Sequence, residues 1–144
     1  MAFSQSAMYA MRAMAYLAYE GRDSPRSSKD IAERTGIPDQ YLSKILRRLV
    51  VADLIVSKKG RSGGFLLSQD PGLVTFEQIL TAVDSLPELG VCVFGYGACD
   101  TDRPCSLHPV WARYVEHTNA WANSTTLADL GPMLELDDLE ARLK

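Results

Sequence analysis

Two short helical patterns joined by a tight turn, followed by two short β-patterns joined by a glycine-rich basic tip, leave few folds open to this chain. The turn is Thr35-Gly36-Ile37-Pro38. Ahead of it, Ser27-Ser28-Lys29-Asp30 opens a helix with the spacing of a capping box in which Asp replaces the usual Glu. Ile31 and Ala32 face inward, and Gly36 closes that helix as a left-handed C-terminal residue. Behind the turn a third helix is expected over 38–52, with Pro38 in its first turn. Tyr41, Leu42, Ile45, Leu46 and Leu49 form its apolar stripe, while Gln40, Ser43, Lys44, Arg47 and Arg48 point elsewhere. Leu54-Ile55-Val56-Ser57 and Phe65-Leu66-Leu67-Ser68 then read as a hairpin around the tip 58–64. Glycines at 60, 63 and 64 let that tip approach another molecule closely, and Lys59 and Arg61 are in reach of phosphates or a minor groove. The order predicts a mainly α fold: a winged helix-turn-helix with a β-hairpin wing.

The flanks complete the plan. Ala7, Ala10, Met11, Met14, Leu17 and Ala18 mark one face of an opening helix over 4–20, capped by Ser4 or Ser6 and stopped by the turn cluster Gly21 to Pro25. Thr75 caps a fourth helix, 76–84, with Phe76, Ile79, Leu80 and Val83 inward. Residues 85–105 are irregular and rich in Pro, Gly and Cys; so long a connection is usually functional or disordered. A last helix over 107–122 aligns Leu107, Val110, Trp111, Tyr114, Val115, Thr118, Trp121 and Ala122 on one stripe. That stripe is more apolar than a thin domain needs, which favours a helix pair between two chains. The expected organisation is a winged-helix domain (1–84), a cysteine loop (85–105), a long dimerisation helix (106–124) and an acidic tail (125–144), with a short or frayed helix over 133–144.

A net charge of −3 speaks against a nucleic-acid partner until it is divided along the chain. Residues 1–70 carry a net +4 and residues 71–144 a net −7. Between 44 and 61 stand Lys44, Arg47, Arg48, Lys58, Lys59 and Arg61 against Asp53 alone, a positive stripe suited to a polyanion. With 47% hydrophobic and 23% charged residues, global disorder is excluded. No apolar run approaches the roughly 20 residues of a membrane span. The start lacks a basic stretch leading into an apolar core, so a cytoplasmic chain is expected.

Cys92, Cys99 and Cys105 are the chain's cysteines, all within one short loop. An odd number in a chain of this kind suggests metal ligation or thiol chemistry rather than a disulfide framework. Structural zinc is disfavoured by the long gaps between them. A Cys105–His108 nucleophile and base lacks an evident oxyanion donor or orienting carboxylate, so no enzyme is expected. His117, off the Trp stripe, reads as a surface residue.

These features together resemble the Rrf2-type transcription regulators, a family that includes an iron–sulfur-cluster regulator and a nitric-oxide-sensing repressor. Ser6…Tyr9-Ala10…Arg12-Ala13 is similar to the family's opening helix, and Ile31-Ala32-Glu33-Arg34…Ile37…Tyr41-Leu42…Ile45-Leu46 to its helix-turn-helix. Gly60…Gly63-Gly64-Phe65-Leu66-Leu67 resembles its wing, and Cys92, Cys99, Cys105 and His108 its cluster loop. The resemblance implies a homodimer on a palindromic double-stranded DNA operator, with a cluster whose state tunes binding. Base-contacting positions then fall on Gln40, Ser43 and Lys44, with Lys59 at the wing; Arg47, Arg48 and Lys58 are assigned to phosphates, and Tyr41 and Arg61 complete the DNA-contacting set. Ser43 stands where the cluster regulator carries Glu, and Lys59 where it carries Arg, so its operator is not inherited.

Thiolates are the usual ligands of iron–sulfur clusters, and a neutral imidazole replaces one in some. Cys92, Cys99, Cys105 and His108 are therefore the expected ligands, Cys105 and His108 on one helical turn at the entry to the long helix. Phe94 and Tyr96 either shield the cluster or pack. Where some relatives draw an acidic fourth ligand from the partner's opening helix, this chain has Met8. That leaves His108 and favours a 2Fe–2S cluster, with 4Fe–4S open. The alternatives are a cluster-free regulator sensing thiol redox state, and a zinc or thiol module that binds protein.

Overall fold

The computed structural model describes residues 3–133. Its elements are α1 (Gln5–Tyr19), α2 (Ser28–Thr35), α3 (Asp39–Val51), β1 (Ile55–Lys58), β2 (Gly64–Leu67), α4 (Phe76–Ala82) and α5 (His108–Ser124), with 3-10 turns at Pro71–Leu73 and Leu127–Met133. The fold is the mainly helical winged helix-turn-helix that the sequence predicts. Element ends move by one or two residues. Pro38 is the N-cap of α3 rather than part of its first turn, and α4 stops at Ala82. Of the acidic tail, residues 134–144 lie outside the described residues.

Local chemistry starts each helix. The Ser4 hydroxyl accepts the Ala7 N–H at 3.1 Å, and the Ser27 hydroxyl accepts the Asp30 N–H at 3.1 Å. Gly36 ends α2 at φ +69°. Thr75 and Gln78 form a full capping box at the start of α4, each side chain satisfying the other's backbone N–H.

Packing then goes further than periodicity. The opening helix is buried well beyond one face: Tyr9, Ala13, Ala15 and Tyr16 join the expected Ala7, Ala10, Met14, Leu17 and Ala18, whereas Met11 is only half-buried. Its alanines let α2, α3, α4 and β2 approach from several sides. Leu42, Ile45, Leu46 and Leu49 of α3 close the core. Tyr41 does not; it is 44% exposed, with its ring 6.0 Å from that of Tyr9.

The wing is held by a contact the sequence did not signal. Arg26 and Phe65 exchange backbone hydrogen bonds of 3.0 and 2.8 Å, adding the approach to α2 as a third extended segment beside β2. Gly64 makes this close approach at φ +144°; a Cβ there would overlap the Arg26 carbonyl. Gly64→Ala is expected to cost about 1–3 kcal/mol, read as a lower urea midpoint. An unchanged midpoint would mean the wing is not fixed through Arg26.

The second half is stitched back onto the first. Thr75 and Thr126 form a β-bridge, Phe76 N–H donates to the Thr125 carbonyl at 2.9 Å, and Leu127 N–H to the Val74 carbonyl at 2.9 Å. Tyr19 donates its hydroxyl to the Leu127 carbonyl at 3.0 Å. The cysteine loop therefore leaves the core at the end of α4 and returns to it through α5.

Candidate functional site

The outer face of α3 and the wing tip form a basic surface. Gln40, Tyr41, Ser43, Lys44 and Arg47 are exposed on α3, and Lys58, Lys59 and Arg61 on the wing. Ser43 donates its hydroxyl back to the Asp39 carbonyl at 3.1 Å, so that hydroxyl is already occupied. The side chains of Lys44, Arg47, Lys58, Lys59 and Arg61 have no hydrogen-bond or ion-pair partner among the described residues. Cations gathered without counter-charges repel one another and attract a polyanion.

Arg48 differs. It is half-buried and ion-paired with Asp84, which sits at φ +51° just beyond α4. No sequence signal marks this pair, because its members stand 36 positions apart. The pair joins α3 to the residue just ahead of the cysteine loop.

That loop is not irregular throughout. Val91 and Ala98 form an antiparallel bridge; Cys92 N–H donates to the Gly97 carbonyl at 2.8 Å, and Cys99 N–H to the Gly90 carbonyl at 2.7 Å. A turn at Gly95 and Gly97, both at positive φ, closes this small hairpin. The Trp111 indole N–H of α5 clamps it by donating to the Val91 carbonyl at 2.8 Å. Phe94 and Tyr96 project from the tip, 60% and 86% exposed, with their ring centroids 6.3 Å apart.

Cys92 and Cys99 are half-buried and Cys105 is exposed. Burial foremost, then the charges of Cys92 and Cys105 and a hydrogen bond with Cys92, pushes the Cys99 thiol up. Cys105 stands just outside the helix rather than on its first turn; its carbonyl accepts the N–H of His108, the first residue of α5, at 3.1 Å. The His108 Nδ1 is buried without a hydrogen-bond partner. A buried imidazole nitrogen left unsatisfied suits a position that receives a ligand. Three thiols and one imidazole fit the donor chemistry of an iron–sulfur cluster. Among the described residues no three His, Cys, Asp or Glu side chains, Cys92, Cys99, Cys105 and His108 included, are grouped so as to hold a metal ion. His117 is exposed, as expected.

The apolar stripe of α5 divides lengthwise. Val115, Thr118 and Ala122 along one edge are buried against the core. Trp121 packs on Phe3 and Phe76, with ring centroids 5.7 and 5.3 Å away. Leu107, Val110 and Tyr114 along the other edge are 48%, 59% and 45% exposed.

Known proteins share this arrangement. The sequence model of the Rrf2 family, described as iron-dependent transcriptional regulators, matches residues 3–132. The HTH-type transcriptional regulator IscR of Klebsiella pneumoniae is 31% identical over 142 residues, covering 99% of this chain and 86% of its own length. IscR of Yersinia pseudotuberculosis is 32% identical over 130 residues, covering 90% and 79%. Among solved structures, the global cysteine regulator CymR of B. subtilis superposes with a TM-score of 0.74 at 26% identity, over 92% of this chain and 97% of its own. IscR of T. potens gives 0.70 at 26% identity, over 98% and 90%.

Proposed function

Because this chain belongs to the Rrf2 family of DNA-binding transcription regulators and is not an enzyme, we propose that it acts as a homodimer on a palindromic operator, with affinity set by an iron–sulfur cluster in the loop 85–105. The observation that supports the sensor reading is the unsatisfied, buried Nδ1 of His108 on α5, the helix whose Trp111 holds the cysteine-bearing hairpin. Cys92 with Cys99, and Cys105 with His108, are two adjacent pairs. A 2Fe–2S cluster asks for two protein ligands on each of its irons, which favours it over 4Fe–4S. When bound, such a cluster supplies a redox-active centre that oxidants or nitric oxide can alter. The chain's own residues hold it and carry its state outward. The loop runs from Asp84, partner of Arg48 on the DNA-facing helix, to the base of α5.

On DNA, α3 enters the major groove with Gln40, Ser43 and Lys44 toward base edges and Tyr41 at their margin. Arg47, Arg48 and Lys58 take phosphates, and Lys59 and Arg61 reach from the wing. The exposed edge of α5 pairs with its copy to set the two reading helices one DNA turn, about 34–36 Å, apart. No helix of the described residues is long and apolar enough to cross a membrane. The reading places the protein in the cytoplasm, where thiols stay reduced.

Iron and acid-labile sulfide, measured on protein purified without oxygen, test the sensor. About two of each per chain are expected, and His108→Ala should lower retention by about 10–100-fold. Zinc, or no metal, would sink the cluster reading and leave DNA binding intact. For the interface, Arg47→Ala should weaken binding to all sequences alike and reduce the salt slope by about 1. Arg48→Ala should change the slope less, since Asp84 already neutralises that charge. Equal slopes for the two variants would remove the distinction between them.

A further inference from the structure

The small hairpin in the cysteine loop brings two thiols onto one face. With Val91 opposite Ala98, Cys92 lies opposite Gly97 and Cys99 opposite Gly90. Side chains alternate between faces along paired strands, so Cys92 and Cys99 project from the same side as diagonal neighbours. Both are only half-buried, open to a small oxidant. Cys105 belongs to a different stretch, turned back by its carbonyl's bond to His108 N–H.

We propose that Cys92 and Cys99 form a disulfide when the loop carries no cluster and meets a peroxide, while Cys105 stays a free thiol. The chemistry balances with hydrogen peroxide as the oxidant. One thiol, as thiolate, attacks a peroxide oxygen; an S–O bond forms, the O–O bond breaks, and hydroxide leaves a sulfenic acid. The second thiolate attacks that sulfur; the S–S bond forms, the S–O bond breaks, and a second hydroxide leaves. The two thiol protons convert both hydroxides to water. The sulfur pair loses two electrons and the peroxide gains them.

Disulfide geometry requires Cα atoms about 4.4–6.8 Å apart, whereas diagonal neighbours on a ladder lie about 7–8 Å apart. The hairpin must therefore tighten slightly. At its turn, a Cβ added at Gly95 or Gly97 would meet nothing within 4 Å, so no packed neighbour stands on that side. The bond would occupy both members of one proposed ligand pair, so an oxidised loop cannot take a cluster until it is reduced. That consequence rests on the cluster reading; formation of the disulfide does not.

The test uses the full chain, stripped of metal with a chelator, reduced, then treated with hydrogen peroxide and alkylated. Cleavage before aspartates puts Cys92 and Cys99 on the fragment 84–99 and Cys105 on the fragment 102–128. The expected result is loss of two of the three free thiols. The fragment 84–99 should be lighter by about 2 Da and unalkylated until reduced, and Cys105 alkylated throughout. Cys105→Ser should behave as the unmodified chain, and Cys99→Ser should form no intramolecular bond while keeping its helical circular dichroism. Alkylation of Cys92 and Cys99, a bond that includes Cys105, or crosslinked dimers would overturn the proposal. Because this assay contains no iron, a chain that forms the bond but never retains iron and sulfide refutes the cluster reading alone.

Discussion

Val110→Glu should leave the proposed dimer monomeric and lower operator affinity by about two to four orders of magnitude. Val110 lies on the open edge of α5 between Leu107 and Tyr114, and is 59% exposed within one chain. A carboxylate there costs little in the isolated chain. In a helix pair it would be buried opposite its own copy, with neither hydrogen bond nor counter-charge. Losing the second half-site removes the effective-concentration advantage of two linked reading heads. Sedimentation and operator titration, run beside a thermal melt, check this. The melt should be unchanged, whereas Val115→Glu on the closed edge should unfold the chain, since Val115 is 1% exposed. A Val110→Glu variant that stays dimeric would place the dimer contact elsewhere.

Leu46→Ala should cost about 2–5 kcal/mol in a urea titration. Leu46 is 2% exposed, on the face of α3 packed into the core with Leu42, Ile45 and Leu49. Domains of this size hold only about 5–15 kcal/mol in all, so the variant should lose a large share of its stability and unfold at a markedly lower temperature. Operator binding should fall by the same fraction that loses helical signal. A ligand that binds only the folded form adds stability, so operator DNA should recover part of the loss. A full-strength fold with no binding would instead mean that Leu46 shapes the DNA face directly.

Much of this was legible in residues. Helix starts at Ser27 and Thr75, the stop at Gly36 and the hairpin around Gly60 to Gly64 follow from interactions spanning a few positions, which one sequence carries in full. The cations on the outer face of α3 and the wing, without partners among the described residues, were visible as a charge imbalance between the two halves. The cysteine set was visible as a cluster in the chain, but its hairpin was not. Val91 and Ala98 pair across a turn of glycines and aromatics that carries no strong periodicity.

Local chemistry in the sequence therefore determined which segments fold and how each begins and ends, because capping and side-chain periodicity act within one or two turns. Tertiary packing decided what those segments meet: Arg26 against Phe65, Arg48 against Asp84, the Trp111 indole on Val91, and the lengthwise division of α5 into a buried and an open edge. These contacts join residues far apart along the chain. Their energies depend on which surfaces the whole fold brings together, a quantity that no window of sequence contains.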